Sequence, residues 1–147
     1  MSGYFIFFIV LVFVSLGTAL VVHLCNRSNK VENYSQKDPM LMELQSLLIK
    51  LHPKATTIDM TEAGKSYTVN KKHMHLCLRN EKKEYFNKNH LIYVAIHELA
   101  HVVCPSIGHT QEFWDYFDKL LNKAIAMGIY NPSIPIVADY QDRCQMG

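Results

Sequence analysis

The sequence predicts an α+β domain in which a short β-sheet packs on one helix rich in titratable side chains, preceded by a single transmembrane helix. Three observations lead there. Residues 3–24 form a 22-residue run without Asp, Glu, Lys or Arg. Residues 72–79 alternate polar and apolar side chains. Apolar residues recur at helical spacing over 39–51, 91–99 and 113–125.

As a helix, the first run would span roughly 33 Å at about 1.5 Å per residue, the thickness of a bilayer's hydrocarbon core. A cleaved signal peptide would carry a basic leading segment and a shorter apolar core of ~7–15 residues. Nothing basic precedes this run, so a retained anchor over 1–25 fits it better. Arg27, Lys30 and Lys37 follow, and the positive-inside bias then places the C-terminal domain on the cytoplasmic side of a single-pass membrane protein. Residues 26–37 are polar and read as a juxtamembrane linker. That leaves 38–147 for one small domain with a single core.

Charge excludes little but points away from nucleic acid. The 15 basic and 13 acidic residues nearly balance. Lys71-Lys72 and Glu81-Lys82-Lys83-Glu84 read as solvated surface without the interleaved aromatics of a strand-binding face. The four cysteines, Cys25, Cys77, Cys104 and Cys144, show no close pairing in sequence. They suggest neither a disulfide framework nor a structural zinc site, and free thiols agree with a cytosolic domain.

Along the domain, Asp38-Pro39 reads as a helix cap with proline at the first helical position, and Leu41, Leu44, Leu47, Leu48 and Leu51 form one stripe. Pro53 closes that helix. Residues 56–60 read as a strand, 62–65 as a turn and 66–69 as a second strand. The alternating segment 72–79 reads as a strand with one face on the core. Asn87-Lys88-Asn89 offers a cap for a helix whose buried face is Leu91, Ile92, Ala95, Ile96 and Leu99, ending near Pro105. A third helix starts after Thr110, carries Phe113, Trp114, Phe117, Leu120, Leu121, Ala124 and Ile125, and stops at Gly128. The tail, with Pro132 and Pro135, reads as an extended strap.

The most informative stretch is HELAH, residues 97–101. On a helix, His97 and His101 lie one turn apart on one face and can reach a single metal ion, with Glu98 beside them as a base for metal-bound water. A catalytic zinc usually takes three protein ligands. His109 is the first choice for the third, because Gly108 lets the chain turn back toward the helix. Cys104 is an alternative ligand at the end of the same helix, and Glu112 a further rival. His73 and His75 share a strand face but lack partners for a second metal. Tyr130, Tyr140 and His75 are candidates for a donor to a developing oxyanion or for lining the cleft, and Asp115 and Asp139 for orienting the ligand rings.

The segment IHELAHVVCPSIGHTQEFWDYF, together with YTVNKKHMHLCL before it, resembles the active-site region of the WLM and SprT-like zinc metalloproteases of the zincin group, and of small membrane-anchored members encoded by large DNA viruses. The likeness covers roughly 56–130, with a longer loop between His101 and His109 than the WLM pattern has. It implies a minimal zincin-like domain, one zinc ion held by His97, His101 and His109, Glu98 as general base, and structural roles for Phe113 and Trp114. The function it implies is a membrane-tethered endopeptidase of a viral or host membrane acting on a protein or peptide substrate. The alternative is a catalytically inactive structural or interaction protein of a membrane or virion. The best-known relatives act on proteins crosslinked to DNA and carry nucleic-acid-binding or partner-binding extensions; here a membrane helix is expected in their place, so that role is not carried over.

Overall fold

The computed structural model describes residues 38–138 and 140–146. Helix α1 (Pro39–Leu51) begins where the sequence places a cap. The Asp38 carboxylate accepts the Met40 N–H at 2.8 Å, and Pro39 occupies the first turn. Its buried side chains are Leu41, Leu44, Leu48 and Leu51. The expected strand over 56–60 starts only at Asp59, because Pro53–Thr57 closes into a 3₁₀ turn. The Thr56 and Thr57 hydroxyls donate back to the Pro53 and Lys54 carbonyls at 2.8 and 3.0 Å. Such local bonds compete with strand pairing.

Three strands follow: β1 (Asp59–Glu62), β2 (Tyr67–Val69) and β3 (His73–Leu76). They form a mixed sheet in the order β1-β3-β2, with β1 parallel and β2 antiparallel to β3. The alternating segment is therefore the central strand, and β2 is the edge beside the site. Met74 and Leu76 face the core while His73 and His75 face outward, as the alternation requires. The strand ends at Leu76, short of the expected Arg79. The backbone of Cys77 is diverted to side chains: its N–H donates to the Ser66 hydroxyl at 2.9 Å and its carbonyl accepts from the Tyr140 hydroxyl at 3.0 Å.

Helix α2 (Lys88–Val103) runs through the centre of the domain and is buried on every face over most of its length. Asn87 caps it, and Cys104 leaves helical geometry immediately before Pro105. Helix α3 (Gln111–Ala126) is capped by the Thr110 hydroxyl and packs Phe113, Phe117, Leu120 and Ala124 inward. Gly128, at φ +67°, turns the chain out of it. The tail is not simply an extended strap. It ends in a short helix, α4 (Tyr140–Cys144), whose Tyr140 and Cys144 are buried.

Two expectations are corrected at this level. Cys77 and Cys144 are bonded to each other across a sequence separation of 67 residues, with Cα atoms 5.6 Å apart, so neither is a free thiol. Only the fold brings them together. The transmembrane helix is also withdrawn from the fold. Among the described residues no helix is long and apolar enough to cross a membrane, and the run over 3–24 lies outside them. What stands is an α+β domain with a small mixed sheet packed against helices.

The start of α1 is tied to the far side of the sheet through Arg79, which bonds to Asp38 at 2.5 Å and to Glu62, and stacks 4.1 Å over the Tyr85 ring. Burial works to raise the Asp38 carboxyl. Hydrogen bonds from Arg79, Tyr85 and the Met40 N–H, with the Arg79 charge, outweigh it and hold the group below its ordinary 3.8. Because the folded-state value lies below the unfolded one, the stabilisation is complete above the unfolded value and fades as pH falls through the folded one. Asp38→Asn is expected to lower stability at neutral pH and to flatten the loss on acidification, read by urea denaturation between roughly pH 2 and 6. Cys144→Ser is expected to cost about 3 kcal/mol in the same assay under oxidising conditions, with reductant then having little further effect on the variant.

Candidate metal centre

Helix α2 presents His97 and His101 on successive turns, and a loop from the helix end returns His109 to them. That return uses Gly108 at φ +78°, where a side chain would meet no neighbour but would strain the backbone. The Nε2 atoms of His97 and His109 lie 3.0 Å apart, and those of His101 and His97 3.3 Å apart. All three residues bring a ligand atom within 4.8 Å of the others. An ion bound tetrahedrally at about 2.0–2.1 Å sets its nitrogens roughly 3.3–3.4 Å apart, so the spacing matches a shared ion.

The first two turns of α3 wall the cluster. His101 stacks on Phe113 with ring centres 4.2 Å apart, His109 stacks on Trp114 at 5.6 Å, and His97 meets Phe113 and Phe117 edge-on at 4.9 and 5.5 Å. Exposure grades across the trio: His97 is buried, His101 half-buried and His109 exposed. The cluster thus reaches the surface at His109 and in part at His101. There a cleft of about 350 Å³ is bounded by Tyr67, Thr68, Asn70, Lys71, His101 and the loop Ser106–Gly108. A larger cavity of about 700 Å³, by Asn80, Phe86 and Arg143, contains none of the three histidines.

Glu98 is fully buried. Thr68 on β2 donates its hydroxyl to Glu98 Oε2 at 2.7 Å, while Oε1 has no hydrogen-bond partner. Burial pushes the carboxyl up to about 7, with the Thr68 bond pulling the other way. The unpartnered oxygen is a costly feature in a dry interior and fits a site meant to receive another polar group.

The remaining sequence candidates lie elsewhere. Cys104 is buried at the end of α2 and is not among the clustered ligand atoms. Glu112 accepts a hydrogen bond from Ser106. Tyr130 packs against the Tyr93 ring at 5.9 Å in the core. Tyr140 is buried with its hydroxyl shared between Ser66, at 2.6 Å, and the Cys77 carbonyl, and burial pushes it up to about 12. His75 lies on the outer face of the sheet, against Thr61 at 2.7 Å and stacked on Tyr67. Asp115 accepts from Gln111 on the surface of α3, and Asp139 lies outside the described residues.

Two residues at the site went unnoticed in the sequence. Thr68 is a polar residue at the inward position of a strand, flanked by outward Tyr67 and Val69, so alternation alone would have turned it to solvent. Lys71, read as solvated surface, instead reaches across to the carbonyls after α2.

The fold and the three-histidine cluster define a metal-binding α+β protein in general terms. No protein-family model matches the chain, and no solved structure matches it. Three curated relatives, each an uncharacterized viral protein, are similar to parts of it. One from Invertebrate iridescent virus 6 is 42% identical over 86 residues, covering 56% of this chain and 48% of that protein. One from Invertebrate iridescent virus 3 is 48% identical over 84 residues, covering 56% and 53%. One from Acanthamoeba polyphaga mimivirus is 33% identical over 118 residues, covering 78% and 57%. The chain spans about half the length of the curated relatives it matches.

These findings correct the family reading. With no family model matching and only uncharacterized relatives, membership of the WLM, SprT-like or zincin group is withdrawn. The membrane tether, the membrane as partner and the single-pass placement are withdrawn with the helix they rested on. The cluster itself makes a direct prediction. The full-length chain, loaded with a divalent transition metal and then dialysed, is expected to retain one equivalent by elemental analysis. His101→Ala should retain far less, and Cys104→Ala a full equivalent.

Proposed function

We propose that this domain is a zinc-dependent hydrolase of peptide bonds, with His97, His101 and His109 as ligands and Glu98 as general base. The observation that carries the reading is the convergence of three imidazoles whose ligand atoms lie within 4.8 Å of one another, two pairs at 3.0 and 3.3 Å, with the adjacent residue a buried carboxyl that keeps one oxygen unpartnered. Three neutral nitrogen ligands leave a divalent ion its full charge. When bound, zinc supplies a Lewis acid that lowers the pKa of water to about 7 and polarises a carbonyl.

The rest falls to the chain. Thr68 occupies Glu98 Oε2, which leaves Oε1 to take the proton from the attacking water and later hand it to the departing amine. Phe113, Trp114 and Phe117 pack against the ligand rings and hold their orientation. Edge strand β2 lines the cleft with Tyr67 and Thr68, so its backbone faces the place where an extended chain would lie. This arrangement favours a peptide over a compact small molecule. A purely structural ion would have no use for a buried acid with a spare oxygen.

Glu98→Gln in the full-length chain should keep its zinc and lose casein hydrolysis by a factor of about 10²–10⁴. Equal, chelator-sensitive cleavage by variant and parent would remove Glu98 from its assigned role. Zinc-replete parent protein that cleaves no faster than the variant would leave a metal-binding protein without this activity.

A further inference from the structure

Lys71 is placed in a way that turn chemistry alone does not explain. Asn70 and Lys71 form the tight turn between β2 and β3, closed by the Lys72 N–H on the Val69 carbonyl at 3.1 Å. Both turn residues have positive φ, +51° and +54°. Asparagine tolerates this, but the second position is one where glycine is strongly preferred. A lysine there holds the backbone in a left-handed region that L-residues rarely adopt.

Its side chain crosses to α2. The ammonium donates to the Cys104 carbonyl, to that of Pro105 at 2.7 Å, and lies 3.4 Å from that of Ser106. Three donors meet three consecutive acceptors at the negative end of a helix. Those three residues open the loop that carries His109. His97 and His101 are fixed by the helix they stand on, whereas His109 stands on no helix or strand. Its loop is held at its start by Lys71, and by Ser106 on the Glu112 carboxylate.

We infer that Lys71 is a positioning residue for the third metal ligand, clamping the loop so that His109 completes the cluster. This rests on the three-histidine reading of the centre. The role predicts that removing the ammonium weakens metal binding through His109 alone, whereas a helix cap of purely structural use would act regardless of His109.

The test is a double-mutant cycle in full-length protein, reading zinc affinity by chelator competition and the thermal midpoint of the metal-free form. Lys71→Gly relieves the positive-φ strain while deleting the charge. It should leave the metal-free midpoint close to the parent's and weaken zinc binding about 10–100-fold. Lys71→Arg, which can reach the same carbonyls, should recover most of the affinity. In a His109→Ala background, Lys71→Gly should cost nothing more. If His109→Ala binds zinc as tightly as the parent, the three-histidine reading fails and the inference goes with it. If His109→Ala weakens binding but Lys71→Gly does not, or costs the same in both backgrounds, the centre stands and Lys71 has no positioning role.

Discussion

Helix α2 is buried over most of its length, yet it carries the buried His97 imidazole and Glu98 carboxyl, with the half-buried His101 one turn on. Transfer of such groups out of water is expensive unless each finds a partner. The rest of the domain is arranged around that requirement. α3 brings Phe113, Trp114 and Phe117 against the histidine rings, β2 brings the Thr68 hydroxyl to one oxygen of Glu98, and the loop after α2 returns a third imidazole. Glu98 Oε1 is left without a hydrogen-bond partner, and the three imidazoles form a cluster able to coordinate a metal ion.

The small sheet matters more for what it holds than for its size. β3 runs through the middle, with Met74 and Leu76 against the core, and so fixes β2 at the edge of the cleft. The far end of β2 is anchored by Ser66, which bonds to Tyr140 and to the Cys77 N–H, next to the Cys77–Cys144 bond. Its near end is anchored by the turn that sends Lys71 to the end of α2. One strand thereby links the C-terminal helix, the buried carboxylate and the ligand loop.

Much of this was legible in the residues, and the reasons differ where it was not. The leucine stripe marks the buried face of α1, and the Asp38 and Thr110 caps and the proline after Cys104 each mark a real helix boundary. The alternation over 72–79 reports one buried face but says nothing about what pairs on either side, so it does not reveal that β3 lies in the centre of the sheet. Thr56 and Thr57 look like strand formers and form a turn, because their hydroxyls find carbonyls three residues back. The disulfide joins residues too far apart for spacing to reveal it. Thr68 and Lys71 act through side chains on one element reaching another, which no single-segment pattern contains. The clustering of His97, His101 and His109 depends on a loop return that Gly108 permits but does not dictate.

The central claim concerns what the three imidazoles do together, and X-ray absorption at the metal edge of the zinc-loaded, full-length chain addresses it most directly. The account predicts three histidine nitrogens at about 2.0–2.1 Å with one light oxygen scatterer completing four-coordination. A sulfur in the coordination sphere, a fourth imidazole, or no metal held by the folded chain would contradict it.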